Sequence, residues 1–388
     1  TVCCFHVGGN SNSATIKYKP FTVMSAHQVI IIGAGIAGAS TAWALRQAGV
    51  SDILILEQGA QAGMHSTSRN AAILRTAIEQ PALQRMARES AEFYRSAPAS
   101  FAEQPLIDAV GLFVTADKHS NAQNRMPSAA TSSVAEIRAH YPDFLDADVD
   151  VWHFADEGTL DIHGLLQAFL KGQTVRTHCK VDEIIYNNDS ACGVRCGDEI
   201  INAQQVVVAN GGWANHLCSD TGLNQPFSPR RRHLMVSSPL EHIGQQLPVV
   251  WCTGDNEFYF RPESGGLLIS ACDHELVDPR YGENIDPNII EYIAAKTDHW
   301  LPGLSDIQLR HLWSGLRTFS PDHNFIVGPD PHKGNLFWAT GLAGHGMTTA
   351  YSVGQILSAW MCDKKCTHPS ANDLLPQRLV DVPRLAGI

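Results

Sequence analysis

The 388-residue chain is expected to adopt an α/β fold: a Rossmann-like dinucleotide-binding domain with a second domain on a mixed or antiparallel sheet. Three observations predict it. Residues 28–57 read as buried strand, glycine turn, helix and second buried strand. Short strands rich in Phe, Tyr and Leu alternate with turns from about 230 to 310. A strand, a glycine turn and a long helix follow over 336–360.

The first element is the apolar run 29–32, which suits a parallel strand buried on both faces. It ends at Gly33, Gly35 and Gly38, a helical segment follows directly, and Ile36 and Ala37 between the glycines are expected at the cofactor with them. Gly33 permits the tight turn, Gly35 lets backbone approach a pyrophosphate, and Gly38 allows close helix–strand packing. The helix N-terminus offers unpaired N–H groups to the anion. A second strand, 53–56, ends at Glu57, 19 residues beyond Gly38, with Gln58 beside it. A carboxylate there accepts from ribose hydroxyls and disfavours a 2′-phosphate, so FAD or NAD is expected over NADP.

Further along, 64–76 (MHSTSRNAAILRT) is small and polar around Arg69 and Asn70, and 81–94 has a helical pattern. Residues 111–115 look like a strand, 165–170 like a helix, and 181–186 and 206–209 like strands. The last of these runs into NGGWA, where Gly211, Gly212 and Trp213 suit backbone lying against a cofactor. A helical stretch near 289–300 precedes GLRTFSPDHNFIVG (315–328) and the closing strand, turn and helix. This order implies a discontinuous dinucleotide domain from 25–100, 160–225 and 315–388, and a substrate domain from 101–159 and 226–314. Residues 1–24 read as a leader or upstream extension, with the natural start expected at Met24.

A net charge of −11 argues against nucleic acid as a partner, and no apolar run approaches the roughly 18 residues of a membrane span. The ten cysteines form no dense framework and are read as reduced thiols of a cytoplasmic protein, with peripheral membrane association left open. Cys362, Cys366 and His368 fall short of a zinc set, so no metal is expected.

Taken together, the fingerprint, STSRN, NGGW, RRRH, GLRTFSPD and GLAGHGMT segments occur in an order that resembles the FAD-dependent D-amino acid oxidase/dehydrogenase superfamily. The likeness covers about 25–362 and is strongest to its D-arginine dehydrogenase and glycine oxidase-like members. It implies non-covalent FAD, with Ser66, Thr67, Arg69, Asn70 and Ala71 under the pyrophosphate and flavin. It puts Val181 at the adenine through backbone, and Gly344, His345, Gly346, Met347 and Thr348 at the pyrimidine edge. A helix pointing its positive end there would stabilise reduced flavin. The resemblance further implies that Arg232, Tyr259 and Arg317 grip a substrate carboxylate, with His345 in reach of substrate or flavin. The implied activity is hydride transfer to flavin N5 from an α-amino acid of the D series, giving an imine and then a 2-oxo acid and ammonia.

Departures from the family bear on the substrate. The acid that holds a guanidinium in D-arginine dehydrogenase has no counterpart in AVGLFVT (109–115), and that relative's histidine after the two alanines is here Ile73. A pocket lined by Leu112 and Phe113 is therefore expected, favouring neutral side chains unless Glu257 or Glu79 reaches in. His65, before STSRN, raises covalent flavin attachment, which is not expected. Other readings are a secondary-amine, glycine or sarcosine oxidase, a 2-hydroxy acid dehydrogenase with His345 as base, or the flavoprotein subunit of a multi-component dehydrogenase. Oxygen or a quinone would reoxidise the flavin; oligomeric state is left open.

Overall fold

The computed structural model describes residues 26–118, 129–218, 221, 223, 226–304, 307–363 and 365–380. The residues expected to form a leader, 1–24, and the expected start at Met24 lie outside the described residues.

The first sheet has eight strands: β1 (His27–Ile32), β2 (Ile53–Leu56), β9 (Thr174–Arg176), β10 (Glu183–Asn187), β11 (Ser190–Cys196), β12 (Glu199–Val208), β19 (Ile326–Pro329) and β20 (Leu336–Thr340). The order β10-β11-β12-β1-β2-β9 puts β1 between two parallel neighbours, and β20 also joins β12 in parallel. Such strands are covered on both faces, which is why 29–32 and 53–56 are apolar without alternation. The helices α1 (Ile36–Gln47), α2 (Pro81–Arg95) and α6 (Gly346–Asp363) share one core with this sheet. α1 and α6 touch closely at Gly354, where a Cβ would lie 2.4 Å from the Ser40 carbonyl oxygen.

Nine strands make the second sheet: β5 (Leu112–Asp117), β6 (Ala130–Ser132), β7 (Val149–Phe154), β13 (Ser228–Ser237), β14 (Val249–Cys252), β15 (Phe258–Glu263), β16 (Gly266–Ser270), β17 (Glu275–Leu276) and β18 (Leu309–Phe319). All its pairings are antiparallel except β5 with β14, so this is a mixed sheet of the expected kind. α3 (Val134–His140) and α5 (Ile289–Trp300) give Ile137, Ile289, Ile293 and Trp300 to its core. A small third sheet of β3 (Ile73–Leu74), β4 (Ile107–Asp108) and β8 (Gly158–Leu160) and the helix α4 (Ile162–Leu170) complete the framework.

Two boundaries differ from expectation. Val181 precedes β10 rather than starting it, and the turn it occupies faces a cavity. The expected division at residue 315 falls inside β18, whose pairing with β13 runs from Leu309 to Phe319, so residues 315–319 hydrogen-bond into the second sheet.

Candidate functional site

A cavity of about 720 Å³ runs from the ends of β1 and β2 to the β13–β18 pair of the second sheet. Its volume is in the range of ligand and cofactor pockets.

One end is built from the fingerprint. Gly33 adopts φ +106°, and a Cβ there would lie 2.6 Å from the Ala209 carbonyl oxygen. A Cβ at Gly38 would lie 2.0 Å from the Gly33 oxygen, so α1 starts hard against the turn. Glu57 Oε2 accepts from the Ala34 N–H at 2.9 Å and Oε1 from the Gly59 N–H at 2.8 Å, which fixes the carboxylate at the wall beside Gln58. Thr67 Oγ1 accepts from the Ile36 N–H at 3.0 Å, tying the STSRN segment to the helix N-terminus, and Ala37, Ser66 and Ala71 line the same space. Asn70 shapes the turn instead: it donates to the Thr67 carbonyl at 2.6 Å and accepts from the N–H of Ala72, a residue at φ +55°.

Arg69 departs from expectation. It lines the cavity, but its guanidinium pairs with Glu283 at 2.9 Å and donates to the Ser314 carbonyl at 3.3 Å. Its charge is thereby balanced inside the protein, and the carboxylate responsible comes from the far segment before α5. Glu283 also takes the His65 Nδ1 at 2.6 Å, and the His65 ring lies 4.5 Å from that of Trp213. Val181 and Gly211 line the cavity; a Cβ at Gly211 would meet nothing within 4 Å.

The N-terminus of α6 forms another wall through Gly344, His345, Gly346, Met347 and Thr348. Gly344, at φ +88°, gives way to a side chain from the second sheet: a Cβ would sit 2.9 Å from Arg317 Nε. Two helix N-termini thus face one cavity, a field suited to an anionic cofactor.

The substrate end is set by strand register. Arg230 lies opposite Arg317, so Arg232, two residues on, shares their face opposite Gly315. A Cβ at Gly315 would meet the Arg69 carbonyl oxygen at 2.9 Å, so glycine there lets the STSRN segment cross the sheet. Arg317 Nη2 donates to the Tyr259 hydroxyl at 3.2 Å, and Tyr259 is fully buried. Arg232 is 2% exposed; its Nη2 faces His274 Nε2 at 2.8 Å, and Glu257 is 3.9 Å away. Its Nε and Nη1 have no partner. A buried guanidinium with two idle donors is arranged for an anion.

Expectation and structure part over the side walls. No residue of 109–115 lines the cavity. β5 is the next strand beyond β14 in the same sheet, Leu112 is core, and Phe113 stacks on His153 at 4.5 Å. The wall is instead Ile73, Leu234, Trp251 and Arg75. Arg75 is 5% exposed with its guanidinium 4.3 Å from the Trp251 ring centre, and Trp251 stacks on Tyr259 at 4.3 Å. The signal missed in the sequence is a lone arginine within the apolar AILRTA run.

The arginines set the protonation of their neighbours. Burial, then the Arg75 guanidinium, holds His345 far below the ordinary imidazole range, with Arg317 and Arg232 adding to the effect, so its ring is neutral. Burial and Arg232 likewise hold His274 at about 4, which leaves Nε2 free to accept from Arg232. Burial raises the Glu257 carboxyl, but Arg232, Arg317 and Arg75 outweigh it and keep it ionised.

Residues 28–360 match a family model described as DAO, FAD dependent oxidoreductase. The chain is 25% identical to 4-methylaminobutanoate oxidase (formaldehyde-forming) of Paenarthrobacter nicotinovorans, over 93% of this chain and 46% of that protein. It is also 25% identical to the mitochondrial pyruvate dehydrogenase phosphatase regulatory subunit of Mus musculus, over 90% of this chain and 43% of that one. The chain therefore spans less than half the length of these curated relatives. Among solved structures, L-proline dehydrogenase from P. horikoshii superposes with TM-score 0.79 at 19% identity, covering 91% of this chain and 97% of that one. Glycine oxidase from Geobacillus kaustophilus gives TM-score 0.76 at 19% identity, covering 94% and 100%. These likenesses establish the shared fold.

Proposed function

Because the chain belongs to the DAO family of FAD-dependent oxidoreductases, we propose that it oxidises an α-amino acid of the D series at the carbon–nitrogen bond. The product imine would pass to a 2-oxo acid and ammonia by addition of water. The observation that carries this reading is Arg232, buried with two idle donors beside Arg317 and Tyr259.

The enzyme uses FAD, and the residues of the cavity fit it: the α1 N-terminus and Thr67 at the pyrophosphate, Glu57 at the ribose, Val181 at the adenine, and the α6 N-terminus at the pyrimidine edge. Bound FAD supplies a two-electron acceptor. The chain's own residues do the positioning. Arg232 and Arg317 hold the α-carboxylate, and Tyr259 fixes Arg317 while donating its own proton to the same anion. Burial and the cationic field that together keep His345 neutral also lower the basicity of a substrate amine, so the amine would arrive with its lone pair free. Neutral His345 then offers a donor or an acceptor without adding charge.

We assign the eight-stranded sheet with α1, α2 and α6 to a cofactor domain and the nine-stranded sheet to a substrate domain, β18 going with the latter. Among the described residues no helix is long and apolar enough to cross a membrane. Oxygen or a quinone is the proposed acceptor. A secondary amine is the second reading, favoured by the likeness to 4-methylaminobutanoate oxidase.

A panel of D- and L-amino acids, N-methyl amino acids and 2-hydroxy acids, scored by anaerobic bleaching of the flavin, tests the assignment. Bleaching by D-amino acids is expected. Bleaching by 2-hydroxy acids alone would overturn it.

A further inference from the structure

We infer that Arg75 is a second anion-binding position in the cavity, which takes the distal carboxylate of a dicarboxylic substrate such as an acidic amino acid or an N-carboxyalkyl amino acid. This deepens the proposed function and rests on it, since the α-carboxylate is given to Arg232 and Arg317.

Arg75 has the marks of a ligand-binding arginine rather than a purely structural one. Its side chain is 6% exposed and it lines the cavity, yet the nearest carboxylate oxygen in an ion pair, on Glu79, is 3.9 Å away, beyond hydrogen-bond reach. Against burial, the Arg75 guanidinium holds the Glu79 carboxyl below its ordinary range, but that side chain is 47% exposed and makes no hydrogen bond to Arg75, so the pairing is partial and leaves the guanidinium able to take a second anion. Nε has no partner. Of the other acids in its field, Glu257 is shared with Arg232 and Arg317, while Glu157 is committed to Thr76, whose Oγ1 donates at 2.5 Å, and burial raises the Glu157 carboxyl to about 7. It is a poor counter-charge near neutral pH.

The geometry ties this guanidinium to the α-carboxylate site. Arg75 sits over Trp251, Trp251 stacks on Tyr259, and the Tyr259 hydroxyl accepts from Arg317. The aromatic pair holds two cationic positions at a fixed separation. Trp251, Tyr259 and Leu234 belong to one apolar cluster, with Ile73 packed against it, a surface suited to the methylenes between two carboxylates. The planar fork of Arg75, oriented by the indole, matches a carboxylate.

The test is titration of the holoenzyme with non-oxidisable ligands of four or five carbons, butyrate against succinate and glutarate, followed by the flavin absorbance change. Wild type is expected to bind the better dicarboxylate at least about tenfold more tightly than butyrate, and Arg75→Met to bring the ratio to within about twofold. Arg75→Lys should keep part of the preference. Arg317→Met should weaken all three ligands alike; if it leaves butyrate untouched, the α-carboxylate reading fails, while the dicarboxylate ratio still judges Arg75. A wild-type ratio near one overturns the inference even if Arg75→Met fails to retain FAD. A ratio unchanged in folded Arg75→Met overturns it as well.

Discussion

Arg317 and Tyr259 meet through a hydrogen bond in which the guanidinium is the donor, Nη2 to hydroxyl at 3.2 Å. The phenol therefore keeps its own proton free, and burial, against the pull of Arg317, pushes its pKa up so that the proton stays. A cation and a neutral donor are aimed at one place, which is the pairing a carboxylate requires.

Arg317→Met should remove on the order of 2 to 5 kcal/mol of transition-state binding, and Tyr259→Phe about 1 to 2, with FAD content near normal. The measurement is kcat/KM for the best amino acid of the panel. Unchanged values for Arg317→Met would sink the clamp.

The purified protein should be yellow and release unmodified FAD on acid precipitation. His65, the residue that raises covalent attachment, already has Nδ1 held by Glu283 at 2.6 Å. Flavin that stays with the precipitate would count against a non-covalent cofactor.

Gly344→Ala and Gly172→Ala separate steric from backbone effects. Both glycines have positive φ, +88° and +74°, but a Cβ at Gly344 would meet Arg317 Nε at 2.9 Å while one at Gly172 meets nothing within 4 Å. Gly172→Ala should cost about 1 to 2 kcal/mol of stability and leave kcat/KM alone. Gly344→Ala should lower kcat/KM by tenfold or more, about 1.4 kcal/mol. Equal activity of the two variants would refute the contact.

Glu157 gives a pH signature. Burial raises its folded pKa to about 7, above the ordinary carboxylate value, so the folded protein binds more protons than the unfolded chain in that interval. Its contribution is full at low pH and is lost as the pH rises through about 7. Relative to Glu157→Gln, wild type should lose up to roughly 3 kcal/mol between pH 4.5 and 8, read by urea unfolding at saturating FAD. Parallel curves would show that Glu157 titrates alike in the folded and unfolded states.

D-Arginine and D-lysine should be poorer substrates than D-methionine or D-leucine. The reason is not an apolar lining from 109–115 but Arg75, which would face the incoming cation. A clear kcat/KM preference for D-arginine would mean that Glu79 or Glu257 governs this end.

Much of this was legible in the sequence because local chemistry demanded it. Gly33 and Gly38 leave no room for a side chain, Glu57 ends a buried strand, and the motif order named the family. Arg75 went unnoticed, and the partner of Arg69 was not foreseen, for a shared reason. Whether an arginine faces a ligand depends on which carboxylates reach it from elsewhere: Glu283, remote in sequence, balances Arg69, while nothing so close balances Arg75. The 109–115 stretch failed likewise, since the parallel pairing of β5 with β14 that hides it is a long-range event.

The run Arg230–Arg231–Arg232 contains three identical letters with three destinies: Arg230 reaches the His274 carbonyl, Arg231 binds Glu275, and Arg232 faces the cavity. Nothing intrinsic to the triplet says which is the ligand. That information is written on the opposite strand, where Gly315 lies across from Arg232. A slip of one residue would trade the ligand for the ion-paired arginine while leaving the triplet unchanged to the eye, so the address of the binding arginine is stored in its partner strand.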